Sequence, residues 1–178
     1  EGHSALVSFE RVRRTMEGEG LTFAAAVANT AKTSAFTTHT PVPAGNETFE
    51  LGLVRTYADA WGAGLPAGTA SFVDLGREAL GSGVFNMTVL AMRTSSRING
   101  VSKLHGRVAD GMWKHLFPGV EADKEHIGSI TNGVHIPTWM GPEMGAMLRR
   151  RLGDDFERRL LDPGFADEVL AIPDADVW

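Results

Sequence analysis

Six histidines and no cysteine set the chemistry open to this 178-residue chain. The histidines stand at 3, 39, 105, 115, 126 and 135. None forms a His-Glu-x-x-His or i, i+4 pair, so no metal site is expected. Without cysteine there is no thiolate nucleophile and no disulfide framework. No Gly-x-Ser-x-Gly elbow, Walker loop or dinucleotide-binding glycine loop occurs, and Gly81-Ser82-Gly83 lacks the rest of that pattern. The carboxylates are scattered, with no pair set for glycosidase chemistry. The candidates that remain are His39, Asn132 and Trp139.

His39 sits in Phe36-Thr37-Thr38-His39-Thr40-Pro41-Val42-Pro43-Ala44-Gly45, which reads as a short buried strand ending in a stiff turn. Ala35 to Thr38 are small, aromatic or β-branched, as a central strand prefers. Pro41 and Pro43 restrict φ and remove donors, and Gly45 lets the chain turn away. A histidine at the end of an inner strand is where α/β proteins place ligand chemistry; the plainer reading is a loop histidine that only hydrogen-bonds locally. Asn132-Gly133, after an apolar stretch, reads as a turn with φ > 0. It is either that turn alone or a site where the Asn132 amide donates to and accepts from a ligand hydroxyl. Trp139 is either a packed aromatic or one wall of a pocket. His105 falls one position after an apolar stripe, where a satisfied core histidine is a more ordinary role than a ligand. Asn86 is expected to orient a buried helix through backbone hydrogen bonds.

The elements that must position these residues follow from periodicity. Leu6, Phe9, Val12 and Met16 form a helix face that Ser4 can cap and Gly18 and Gly20 stop, with Arg11, Arg13 and Arg14 toward water. Thr22 caps an alanine-rich helix to about Lys32. Phe49 to Trp61 is helical, with Leu51, Val54, Tyr57 and Trp61 inward. Ser71–Leu75 and Arg77–Leu80 are short helical stretches, and Phe85–Arg93 is a buried helix. Thr94–Gly100 is a polar turn. Val101, Leu104, Val108, Met112 and Leu116 keep helical spacing until Pro118-Gly119. Ile127–Thr131 is a second buried strand. Pro142–Arg151 is a helix with Met144, Met147 and Leu148 inward and three arginines at its C-terminal end, where cations suit the helix dipole. Asp154 or Asp155 can cap another helix holding Phe156 and Leu160. The four tryptophans are placed mostly in cores. Few strands and many helices make an α-rich slice of an α/β protein.

Composition bounds the partners. The chain is 43% hydrophobic and 22% charged, with mean hydropathy −0.09, formal charge −5 and pI near 5.7. The acidic balance speaks against nucleic acid or an anionic membrane surface, and is silent about a neutral sugar polymer. No apolar run approaches the ~18 residues of a membrane helix. Glu1-Gly2-His3 carries neither a basic region nor an apolar core, so no signal peptide and a cytoplasmic location are expected. With no initiator Met and an end at Val177-Trp178, the sequence reads as an excised piece of a longer chain.

Phe36 to Gly45 resembles a segment of bacterial α-glucan (glycogen/maltodextrin) phosphorylases. So do Glu1-Gly2-His3-Ser4, Asn99-Gly100-Val101-Ser102-Lys103-Leu104-His105-Gly106 and Thr131-Asn132-Gly133-Val134-His135, in the same order. Members of that family are several times longer. The resemblance implies a helix-rich, partial GT-B fragment (GT-B being two Rossmann-like lobes), with residues 1–132 closing the N-terminal lobe and 133–178 opening the C-terminal one. It implies phosphorolysis of α-1,4-glucans by inorganic phosphate to glucose 1-phosphate with retention. Pyridoxal phosphate is the implied cofactor, its 5′-phosphate relaying the proton. It gives His39 and Asn132 contact with the glucose, Trp139 the cofactor pocket, and Glu1 and His3 the side channel beside the glucose. No Gly-Thr-Ser-x-x-Met-Lys type segment is present; Lys32, Lys103, Lys114 and Lys124 stand in other contexts. The phosphate-binding arginine and lysine are implied to lie beyond Trp178. The section alone is therefore expected to be inactive, to need the missing remainder of its own chain, and to expose apolar surface that the remainder covers.

Two other readings stay open. A glycogen-synthase-like GT-B glucosyltransferase shares an Asn-Gly turn and a nearby tryptophan, but not the 36–45 and 99–106 stretches. A non-catalytic glucan-binding module predicts exposed aromatics.

Overall fold

The computed structural model describes residues 2–63, 65, 68–79, 82–118 and 125–177, and of Gly2 and His3 the backbone alone. The chain divides into two compact units, Glu1–Asn132 and Gly133–Trp178.

The first unit opens with a 3-10 turn, Gly2–Leu6, and α1, Val7–Glu19. Leu6, not Ser4, occupies the N-cap position, without a side-chain capping bond. Gly20 ends α1 at φ 67°, a left-handed conformation that glycine adopts without steric cost. α2 (Phe23–Lys32) starts at Thr22, whose hydroxyl accepts from the Ala25 N–H. β1 (Ala35–Thr38) follows, then a 3-10 turn at Pro43–Gly45, β2 (Thr48–Glu50) and α3 (Leu51–Trp61). Next come α4 (Ala70–Asp74), β3 (Val84–Asn86), α5 (Met87–Arg93), β4 (Arg97–Gly100), α6 (Lys103–Trp113) and β5 (Gly128–Ser129).

β1, β4 and β5 form a parallel sheet in the order β1-β4-β5. Ala35 to Thr38 lie opposite Arg97 to Gly100, and Asn99-Gly100 opposite Gly128-Ser129. β2 and β3 make a separate antiparallel pair. The helix-rich α/β expectation therefore holds for the described residues, but the strands fall differently. Thr94–Gly100 is not a turn: its second half is the middle strand of the sheet. β1 is an edge strand with only Thr38 buried, because β4 supplies a neighbour on one side alone. The stretch at 127–131 pairs over two exposed residues, leaving Ile127 as its buried part.

α5 is the core helix. Met87, Leu90 and Ala91 pack with Phe9, Val12, Phe72 and Phe85, while Val89 and Met92 pack with Ala109, Trp113 and Ile127. A helix buried all round cannot leave its first N–H groups to water. The Asn86 amide oxygen accepts from Thr88 and Val89 N–H at 2.9 and 3.3 Å, and its amide nitrogen donates to Glu78 at 2.9 Å. Asn86 thus orients the buried helix as expected, from the end of β3, because Phe85 and Asn86 are strand and not helix.

In the first unit two helical registers and one expected helix differ from the periodic reading. In α3, Tyr57 is 71% exposed and Ala58 takes the inward place. In α6 the buried positions are His105, Gly106, Ala109 and Trp113, while Leu104 is 66% exposed. Apolar size does not mark the inner face at the start of this helix, because Gly106 stands too close to the sheet to admit a side chain there. Arg77 to Ala79 is not helical, and Leu80 lies outside the described residues.

α1 is tied to α3 by one carboxylate. Glu10 accepts from Arg13 at 2.7 and 2.8 Å, from Arg14 at 2.7 Å and from the Trp61 indole N–H at 3.2 Å. Arg13 and then Arg14 hold its pKa down, from the ordinary 4.5 to about 2. A carboxyl whose folded pKa lies below its unfolded value contributes stability above the unfolded value and loses it as pH falls through the folded one. The urea midpoint is therefore expected to fall as pH drops from about 4.5 toward 2. Glu10→Gln is expected to remove that part of the acid dependence. An unchanged acid profile in the variant would contradict the assignment.

The second unit is helical: α7 (Ile136–Trp139), α8 (Pro142–Leu152), a 3-10 turn Phe156–Arg158, α9 (Phe165–Leu170) and α10 (Asp174–Val177). Asp155 precedes the 3-10 turn without a capping bond. Met147, Phe156 and Phe165 are its buried apolar residues. Met144, expected inward, is 39% exposed. Arg149–Glu157, Arg151–Asp176 and Arg159–Glu168 ion pairs brace it at 2.8, 2.5 and 2.5 Å. No described helix is long and apolar enough to cross a membrane.

Candidate functional site

All three strands of the parallel sheet run the same way, so their carboxyl ends share one edge. His39 directly follows β1, Val101 follows β4, and Ile130 to Asn132 follow β5. Ligands of open α/β sheets bind outside such an edge. His39 and Asn132 leave the two strands that flank β4, which sets their strands roughly 10 Å apart, two inter-strand spacings. Both residues are exposed.

The segment after β5 stays attached to the end of β4. The Ile130 N–H donates to the Gly100 carbonyl at 2.9 Å and the Asn132 N–H to the Val101 carbonyl at 3.1 Å. Neither Asn132 nor Gly133 has positive φ, so the expected left-handed turn is absent. These backbone bonds hold the segment extended instead. Asn99-Gly100, the other expected turn, is the last half of β4.

β4 turns directly into α6, and glycines set the distance. A Cβ on Gly100 would stand 2.8 Å from the Gly106 nitrogen, and one on Gly106 would stand 2.8 Å from the Gly128 carbonyl oxygen. The helix therefore rests with backbone against backbone on β4 and β5. Ser102 caps it, its hydroxyl accepting from the His105 N–H at 3.1 Å. The buried His105 ring turns back toward the strand, where Nδ1 accepts from the Val101 N–H at 3.2 Å. Sequence reading took this stretch as a turn before a helix and missed the close approach, although two glycines six apart across a helix start are a signal of close helix–strand packing. Beside α6 and β5 lies a polar cavity of about 310 Å³, lined by Lys103, Arg107, Glu125 and Ser129 among others.

Of the other predicted residues, Glu1 and the His3 side chain lie outside the described residues. Trp139 belongs to the second unit and ends α7, where it is 80% exposed. The expectation of mostly core tryptophans holds for Trp113 at 4% and not for Trp139. Trp61 is half-buried, and Trp178 lies outside the described residues. Among the described residues no group of three histidines or carboxylates could hold a metal ion.

The decisive observation is similarity over the whole length. The chain is 42% identical over 178 residues to a maltodextrin phosphorylase of Thermococcus litoralis, covering all of this chain and 21% of that one. It is 38% identical over 186 aligned positions to a glycogen phosphorylase of Mycobacterium tuberculosis, with the same two shares. From end to end, the chain is similar to a section of these phosphorylases. A glycogen phosphorylase of Aquifex aeolicus is 30% identical over 166 residues, covering 90% of this chain and 23% of its own. No protein-family model matches. The chain thus spans about a fifth of the length of the relatives it matches.

Proposed function

We propose that the full-length protein carrying this section is an α-glucan phosphorylase that transfers the terminal glucose of an α-1,4-glucan to inorganic phosphate, giving glucose 1-phosphate with retention. The observation that supports the reading is the shared sheet edge: His39 and Asn132 follow the two strands that flank β4, each in a phosphorylase-like stretch. There the Asn132 amide binds a glucose hydroxyl. The His39 carbonyl and ring contact the same sugar, and a carbonyl dipole aimed at developing positive charge lowers the barrier electrostatically. Glu1 and His3 line the side channel beside the glucose.

The division into compact units at Asn132 and Gly133 supports a lobe junction there: residues 1–132 end one GT-B lobe and 133–178 begin the other. Trp139 is the residue this section offers to pyridoxal phosphate. Its exposed indole fits a planar neighbour, as one wall of a pocket rather than a cradle. When bound, that cofactor supplies a phosphate able to pass a proton to the substrate phosphate. The anchoring lysine and the phosphate-binding cations come from the rest of the chain. An apolar cleft of about 330 Å³, with Leu6, Leu53 and Tyr57 exposed along it, supports cover by that remainder.

The test is to incubate the full-length protein with maltodextrin and inorganic phosphate, with and without pyridoxal phosphate, and to assay glucose 1-phosphate. Cofactor-dependent product is expected. No product with phosphate, together with glucan elongation from ADP-glucose, would replace the reading with a glycogen-synthase-like enzyme. The exposed Trp139 favours one further reading, a glucan-binding module. Saturable maltooligosaccharide binding by the 178-residue section alone would support it.

A further inference from the structure

We propose that His105 is a positioning residue for Asn132, acting through the two peptide groups that flank Val101. The inference rests on the reading of Asn132 as a glucose contact. Val101 is the first residue past β4, so its peptide groups are beyond the sheet ladder. Its N–H is taken by His105 Nδ1 at 3.2 Å, and its carbonyl takes the Asn132 N–H at 3.1 Å. The two peptide groups on either side of the Val101 Cα therefore carry the ring on one and Asn132 on the other, and the first of them also accepts the Ile130 N–H on its Gly100 carbonyl at 2.9 Å. The ring is itself held firmly. His105 is 8% exposed, and its own N–H is capped by Ser102 at 3.1 Å. The packing of Gly106 against Gly128 fixes how far the helix stands from the strands.

Only one of the two ring nitrogens has a use here. Because Nδ1 accepts, the ring is neutral with its proton on Nε2. Nε2 is buried with no hydrogen-bond partner among the described residues. A histidine kept for bulk would need neither nitrogen; this one is needed for the acceptor nearest its Cβ. Asparagine carries an acceptor the same number of bonds from Cα as Nδ1, glutamine carries its own one bond farther out, and leucine has none.

In the full-length protein, His105→Leu is expected to lower kcat/KM for maltodextrin by about tenfold, the scale of one lost hydrogen bond. KM for phosphate is expected to stay within about twofold. Amide exchange over residues 128–132 is expected to speed by about tenfold, since the bond that holds Asn132 is loosened. His105→Asn is expected to restore both readouts to within about threefold of the original, and His105→Gln is not. Equal impairment of the asparagine and leucine variants would overturn the inference, as would unchanged exchange over 128–132 in the leucine variant. Should His105→Leu fail to fold, the asparagine and glutamine variants still decide it by the same two readouts. Exchange reports on the positioning alone. An Asn132→Ala protein with unchanged glucan kinetics would sink the reading of the site and leave the exchange result standing.

Discussion

Asn132→Ala in the full-length protein is expected to lower kcat/KM for maltodextrin by about 10²-fold, with His39→Ala costing somewhat less. Asn132 loses both a donor and an acceptor, and a sugar hydroxyl desolvated against a missing partner costs roughly 1–3 kcal/mol. At about 1.4 kcal/mol per factor of ten, that reaches about 10²-fold at its upper end. His39→Ala removes the ring but keeps the main-chain carbonyl that faces the developing charge, so about 10- to 50-fold is expected from the lost ring contact. Both side chains are exposed in this section. Exposed substitutions of this kind change folding stability within about 0.5 kcal/mol, so the thermal midpoints should hardly move. Kinetics and calorimetry together separate the outcomes. Lost activity with an unchanged midpoint supports both assignments. Unchanged kinetics in both variants would discard the site while leaving the family in place. Activity lost only in step with stability would make the residues structural.

Gly106→Ala is expected to destabilise the protein by up to about 2 kcal/mol although alanine is the better helix former. The helix gains about 1 kcal/mol from the exchange. Against this, the new Cβ would lie 2.8 Å from the Gly128 carbonyl oxygen and 3.0 Å from the Ser129 Cβ. The first obstacle is backbone in a strand, which cannot swing aside, and overpacking of this sort costs about 1–3 kcal/mol. The helix must rise off the sheet, and the Gly100–Gly106 contact opens with it. Gly111 of the same helix is the control, because a Cβ there meets nothing within 4 Å. Gly111→Ala is expected to stabilise by about 0.5–1 kcal/mol. Opposite shifts of the thermal midpoint for the two variants would establish the close approach. Shifts of the same sign would refute it.

What the sequence could show was local. Thr22 caps the helix that follows it, and Gly20 stops α1, because capping and left-handed termination involve atoms within four residues. Pro142 opens α8 and three arginines close it for the same reason. His39 and Asn132 could be singled out because the stretches around them resemble phosphorylase sequence. Their meeting on one edge could not be derived.

That edge depends on β4. Arg97-Ile98-Asn99-Gly100 carries almost none of the apolar, β-branched character of a buried strand. It is the middle strand because residues 62 positions earlier and 29 later supply its partners. Pairing across such distances is settled by backbone hydrogen bonds and by what else needs burying, and single-residue propensity does not record either. The inner face of α6 was misread for a related reason. Apolar spacing marks the face that buries the most surface, whereas this helix turns Gly106 inward so that it can touch the sheet, leaving Leu104 outside. The sequence by itself determined the cap at Thr22, the stop at Gly20, the span of α8 and which family the chain resembles. Only the tertiary structure decided which peptide groups meet at the sheet edge, because those contacts join segments that local rules treat as independent.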